Sequence, residues 1–134
     1  MRKEQVFLIL VLSGMAVLVQ GCAVAWVGAG LGVGAGMVAY LKGDLEAVES
    51  KDIDTVFEAT EKAIEELEIK VSKKTKDKMS AVIIARDAQD KKITIKLRAT
   101  AEESTKLSIR VGGFGDETKS RLIYQKIREK LKGP

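Results

Sequence analysis

Hydrophobic positions follow three regimes along the chain. From Val6 to Val19 they run almost unbroken, from Ala23 to Leu41 they mix with glycines without a charge, and from Lys42 onward they alternate with charged residues. The third regime predicts regular elements. Lys42–Glu49 alternates weakly with Leu45 and Ala47 on one face, which predicts a strand. Asp52 or Asp54 can cap a helix in which Val56, Phe57, Thr60, Ala63, Ile64 and Leu67 recur at helical spacing. Ile69-Lys70-Val71-Ser72 begins a second strand, and Lys73–Lys78 reads as its polar end and a turn. In the next strand Ala81, Ile83 and Ala85 alternate with Val82, Ile84 and Arg86, so it is apolar on both faces and reads as central. Ile93, Ile95, Leu97 and Ala99 then oppose Lys92, Thr94, Lys96 and Arg98, and Leu107, Ile109 and Val111 oppose Lys106, Ser108 and Arg110. That alternation belongs to an antiparallel meander with one solvated face. Gly112-Gly113-Phe114-Gly115 breaks the last strand, with Phe114 read as a plug for the core edge. Asp116 can cap a final helix that turns Ile123, Tyr124, Ile127 and Leu131 to the core.

The predicted fold is α+β. An antiparallel sheet of about four to five strands carries two helices on one face, in the order strand, helix, four strands, helix. A signal peptide and a glycine-rich apolar tether precede it.

The first regime explains the only cysteine. Arg2 and Lys3 stand before an apolar run of about fourteen residues, and Leu18-Val19-Gln20-Gly21 leads into Cys22. A membrane span needs roughly twenty residues and a signal core roughly seven to fifteen. The pattern predicts a bacterial lipoprotein signal, residues 1–21, cleaved after Gly21 and leaving Cys22 acylated. Two or three acyl chains, each adding about 0.8 kcal/mol per buried CH₂, hold a protein in a bilayer stably. A lone cysteine has no disulfide partner within its chain.

Residues 22–41 form the expected tether. Gly28, Gly32 and Gly36 are four apart and would line one helix face, the spacing that lets helices approach closely in lipid. Trp26 and Tyr40 stand near the ends of this stretch, where interfacial aromatics belong. In water each such glycine costs a helix about 1 kcal/mol against alanine. Three readings stay open: an apolar tether against the membrane, an inserted or self-associating glycine-zipper helix, or a segment packed on the domain or a partner. A P-loop is excluded, because no Lys-Ser or Lys-Thr follows the glycines.

Charge and composition narrow the function of residues 42–134. Removing Arg2, Lys3 and Glu4 with the signal leaves 21 Lys and Arg against 18 Asp and Glu. So mixed a surface does not argue for nucleic acid. The chain has no histidine, which removes the commonest general base and transition-metal ligand. No serine or carboxylate grouping has the partners a nucleophile needs, so neither an enzyme nor a cofactor is expected. Lys96, Arg98, Lys106 and Arg110 point to the outer sheet face and would cluster if the strands pair in order. Such a patch suits anionic headgroups or an acidic partner, or serves as a solvated face that discourages aggregation.

Several segments together resemble a bacterial lipoprotein family known as domain of unknown function 3568. They are Gly21-Cys22-Ala23, the glycine/alanine tract, and Tyr40-Leu41-Lys42-Gly43 entering Leu45-Glu46. Further on they are Val56-Phe57-Glu58-Ala59-Thr60, Lys92-Ile93-Thr94-Ile95-Lys96 and Ile109-Arg110-Val111-Gly112-Gly113-Phe114-Gly115-Asp116. The resemblance implies an envelope location and a fold, and no chemistry. The expected protein is a non-catalytic lipoprotein held in the bilayer by acylated Cys22, with an envelope protein or a second copy as possible partner. Ala23 is not the aspartate that retains lipoproteins in the inner membrane, so the periplasmic face of the outer membrane is the expected location. The alternative is a small membrane-embedded oligomer assembled through Gly28, Gly32 and Gly36.

Overall fold

A computed structural model describes residues 37–133, together with Lys3 and Gln5. Gly21, Cys22, Gly28, Gly32 and Gly36 lie outside the described residues. The elements are β1 (Met37–Leu41), β2 (Asp44–Glu49), α1 (Ile53–Glu66), β3 (Lys70–Lys76), β4 (Ser80–Arg86), β5 (Lys92–Ala101), β6 (Ser104–Val111) and α2 (Glu117–Leu131). The strands form one antiparallel sheet in the order β1-β2-β6-β5-β4-β3.

The α+β class and the two helices are as expected, but the sheet has six strands rather than four to five. The extra strand is β1, which takes the last five residues of the charge-free tract. Its sequence lacks the polar alternation that marks a half-solvated strand. Its place is fixed instead by a two-residue turn, with Lys42 (φ 52°) and Gly43 (φ 89°) both left-handed and Leu41 opposite Asp44. Two positive-φ residues match the right-handed twist of the flanking strands, as in a type I′ hairpin. Tyr40, in register with Leu45, packs against the core. β4 is an interior strand, one in from the β3 edge, while β6 and β5 form the middle pair of the sheet.

Each helix begins where its cap predicts. Asp52, not Asp54, caps α1 by accepting from the Thr55 backbone N–H at 2.9 Å, and Asp116 caps α2 through the Lys119 N–H at 3.0 Å. Both helices lie on the same face of the sheet. They bury Val56, Ala63, Ile64, Ile123 and Ile127 against Leu45, Ile83, Ile95, Leu107 and Ile109. Two polar links cross this core. Thr105 Oγ1 donates to the Lys51 carbonyl at 2.9 Å, and the Tyr124 hydroxyl donates to Glu49 Oε1 at 2.5 Å. Burial and the Glu49 carboxylate together push the Tyr124 hydroxyl far above its ordinary pKa. β3 stays exposed along its length. Its lysines, with a bulge between Val71 and Lys73, blunt that edge against pairing with another chain.

Candidate functional site

The outer sheet face is what the helices leave open. Strand register places Lys70 and Lys73, Arg86, then Lys92, Lys96 and Arg98, then Lys106 and Arg110 on this face. Only Asp44 and Glu46 oppose them on the strands of this face. Its excess of six positive charges exceeds the +4 of the entire chain, so charge is segregated onto one side.

The four cations singled out from sequence do meet. Arg98 stands directly opposite Lys106, and Lys96 and Arg110 are diagonal neighbours through Ser108 and Thr94. Their electrostatic states differ, which periodicity cannot reveal. Arg110 Nε lies 2.8 Å from Asp44 Oδ1, and Nη2 lies 3.1 Å from Oδ2. The same guanidinium also donates to the Lys42 carbonyl at 2.8 Å and to the Gly113 carbonyl at 3.0 Å. Its hydrogen bond holds the Asp44 carboxyl below the usual range, against the desolvation that burial imposes and with help from the Arg110 and Lys96 charges. Lys106 is paired with Glu46 at 3.0 Å. Lys92, Lys96 and Arg98 have no carboxylate within ion-pair distance among the described residues. Open positive charge therefore lies on β5, where Lys92 joins the group, and on β3, where Lys70 and Lys73 likewise form no ion pair among the described residues. Lys92, Lys96 and Arg110 border a trough of about 500 Å³ floored by Val82, Ile84, Thr94 and Ser108.

One end of this face forms a locked corner. Gly115 (φ 87°) approaches Gly43 so closely that a Cβ there would sit 2.3 Å from the Gly43 carbonyl oxygen and 2.6 Å from the Tyr40 hydroxyl. A Cβ on Gly43 would meet the Phe114 carbonyl oxygen at 2.5 Å. Glycine is the residue that permits both the left-handed backbone and the close approach. Arg110 ties the two turns together through Lys42 and Gly113. Phe114, expected to plug the core edge, is instead 100% exposed, and Leu41 on the neighbouring turn is 58% exposed. With the core edge closed by backbone contact, the turn directs Phe114 to solvent. Sequence reasoning missed this corner, although two of the segments carrying the family resemblance, Tyr40–Gly43 and Ile109–Asp116, supply most of it.

A second cavity of about 250 Å³ lies between the C-terminal end of α1 and the start of α2. Its walls are mainly Leu67, Ile69, Ile93, Leu122 and Ile123. Its one ammonium, Lys119 Nζ, is held by Asp87 at 2.6 Å and Gln89 at 2.7 Å. Among the described residues no group of three His, Cys, Asp or Glu is placed to hold a metal ion. No helix among them is long and apolar enough to cross a membrane.

Comparison with known proteins finds one family. No curated protein matches the chain. The model of the family described as "Protein of unknown function (DUF3568)" matches residues 5–130, nearly the whole chain. The chain belongs to that family.

Proposed function

We propose that this protein is a non-catalytic, lipid-anchored binding module of the bacterial cell envelope. The observation that carries the reading is the single cysteine, Cys22, placed behind Arg2-Lys3, an apolar run and Gly21. Residues 1–21 act as the signal, acylated Cys22 holds the bilayer, and the α+β domain works on the periplasmic side of the outer membrane. The β5 cations support contact with an anionic surface, since Lys96 and Arg98 form no ion pair with any carboxylate among the described residues. The alternative, an oligomer embedded through Gly28, Gly32 and Gly36, is less favoured by chain length. With Met37–Leu41 in the sheet, fourteen charge-free residues remain from Ala23 to Gly36, whereas a span takes roughly twenty.

The test is the intact mass of the membrane-extracted protein beside a Cys22→Ser variant. A chain beginning at Cys22 with added acyl mass, absent in the variant, is expected. An unacylated chain that stays in the membrane would overturn the anchor and favour the embedded oligomer.

A further inference from the structure

We infer that the turn carrying Phe114 is a wedge that enters the interface of an anionic bilayer while the basic face of the sheet rests on the headgroups. The inference rests on the lipid-anchored reading and deepens it, because it names the surface that the module meets and the residue that enters it.

Single exposed apolar side chains are common and need no explanation by themselves. Phe114 differs because of how it is held. It is wholly exposed between Gly113 and Gly115, so no adjacent side chain shelters it. Its backbone, by contrast, is fixed. The Phe114 carbonyl abuts Gly43, Gly115 abuts Gly43 and Tyr40, and Arg110 binds the Gly113 carbonyl. A rigid turn therefore presents an aromatic ring to the surroundings with little ordering entropy left to lose. Leu41, on the adjoining turn, adds a second apolar side chain.

Charge complementarity argues for a lipid surface. The carboxylates around the turn are already paired: Asp44 with Arg110, Asp116 with Lys91 at 3.7 Å, and Glu117 with Arg121 at 2.7 Å. Lys42 and Lys92, nearby on the same corner, have no such partner among the described residues. An apolar tip backed by open cations is the combination that holds proteins at anionic interfaces, the ring buried among acyl chains and the ammonium groups at headgroup level. Chain length permits it. Fourteen residues separate Cys22 from Met37, an extended reach of at most about 50 Å. The corner lies only the length of β1 beyond, so the bilayer stays within range of the anchored domain.

The experiment places a single tryptophan at the tip, using Trp26→Phe with Phe114→Trp in the full chain. The protein is reconstituted into phosphatidylethanolamine/phosphatidylglycerol vesicles and into phosphatidylcholine vesicles, each with and without brominated acyl chains. In the anionic vesicles we expect the indole emission to shift to the blue and to be quenched by bromine. In the same background, Lys96→Glu with Arg98→Glu should reduce that quenching. Because position 114 touches no core residue, an unchanged circular dichroism spectrum is expected and verifies the fold. Water-like, unquenched emission in both vesicle types would overturn the wedge. If Lys96 is nevertheless shielded from amine-reactive label on anionic vesicles, the basic-face contact survives while the wedge falls. Equal quenching in both vesicle types, indifferent to the charge reversals, would keep the insertion but overturn its anionic selectivity and the basic-face contact. Emission that stays water-like with lipid and shifts only with envelope protein would overturn the wedge in favour of protein docking.

Discussion

Gly43 and Gly115 meet backbone to backbone, and a side chain on either one would occupy space already filled. Gly115→Ala combines a left-handed φ with a contact of 2.3 Å to the Gly43 carbonyl, and should cost about 3 kcal/mol or more. Gly113→Ala meets no atom within 4 Å and has no left-handed φ, so it should stay within about 0.5 kcal/mol of the parent. Urea unfolding of the two variants measures this contrast. Equal costs would show that the corner tolerates a shift of the β1–β2 turn. In sequence these glycines sit two residues apart in one glycine-rich break and look equivalent. Their difference comes from Gly43, some seventy residues earlier, which no local pattern connects to them. Phe114 was misread for the same reason: an aromatic residue beside a strand end usually closes the core, but here backbone contact had closed it.

Between elements, the clearest electrostatic tie joins the two helices. Glu66 at the end of α1 accepts from both Lys130 and Lys126 of α2, the latter at 2.9 Å. The Lys130 hydrogen bond, then that of Lys126, lowers the Glu66 carboxyl to a pKa of about 2 from its ordinary 4.5. A carboxylate lowered on folding stabilises the folded state fully above its unfolded pKa and loses that contribution as pH falls toward the folded value. Glu66→Gln should therefore lower Tm slightly at pH 7, and the gap to the parent should close between about pH 5 and pH 2. Glu66 is exposed and its two lysines only partly buried, so the gap should also shrink with salt. Thermal melts across pH and ionic strength check both trends; a gap that widens in acid would remove Glu66 as its source. Element identity was largely legible. Period-two alternation marked β2, β4, β5 and β6, and helical spacing with Asp52 and Asp116 marked α1 and α2. β1 was not legible, because five residues continuing an apolar tract carry no alternation, and Lys42-Gly43 is a weaker hairpin signal than Asn-Gly.

Across the whole molecule, the helices cover one face of the sheet and charge collects on the other. Bound to an anionic vesicle through that face, the full chain should show Lys92 and Lys96 protected from an amine-reactive label while Lys62, exposed on α1, reacts freely. Protection should fade as salt shortens the Debye length below about 10 Å, and should be absent on neutral vesicles. Uniform labelling of all three lysines under every condition would leave the basic face without a lipid role. Lys96→Glu with Arg98→Glu should lower folding stability only slightly, because neither side chain has an ion pair to lose and the remaining cost is the Lys96 attraction to Asp44 across a solvated face.

What the sequence determined by itself is local. Residue period and capping chemistry set most strands, both helices and the side of β5 and β6 on which the cations lie, because each depends on neighbours a few positions away. Tertiary structure decided the rest. It set β2 beside β6, recruited Met37–Leu41 as an edge strand, and brought Arg110 to Asp44 across a separation of 66 residues. That pairing removes Arg110 from the open charge, and the Glu46 pair does the same for Lys106, leaving the cations of β5 with Lys70 and Lys73 of β3 unpaired among the described residues. Alternation reports which face a side chain takes; only pairing between distant strands determines which charge is neutralised and which aromatic is left outside.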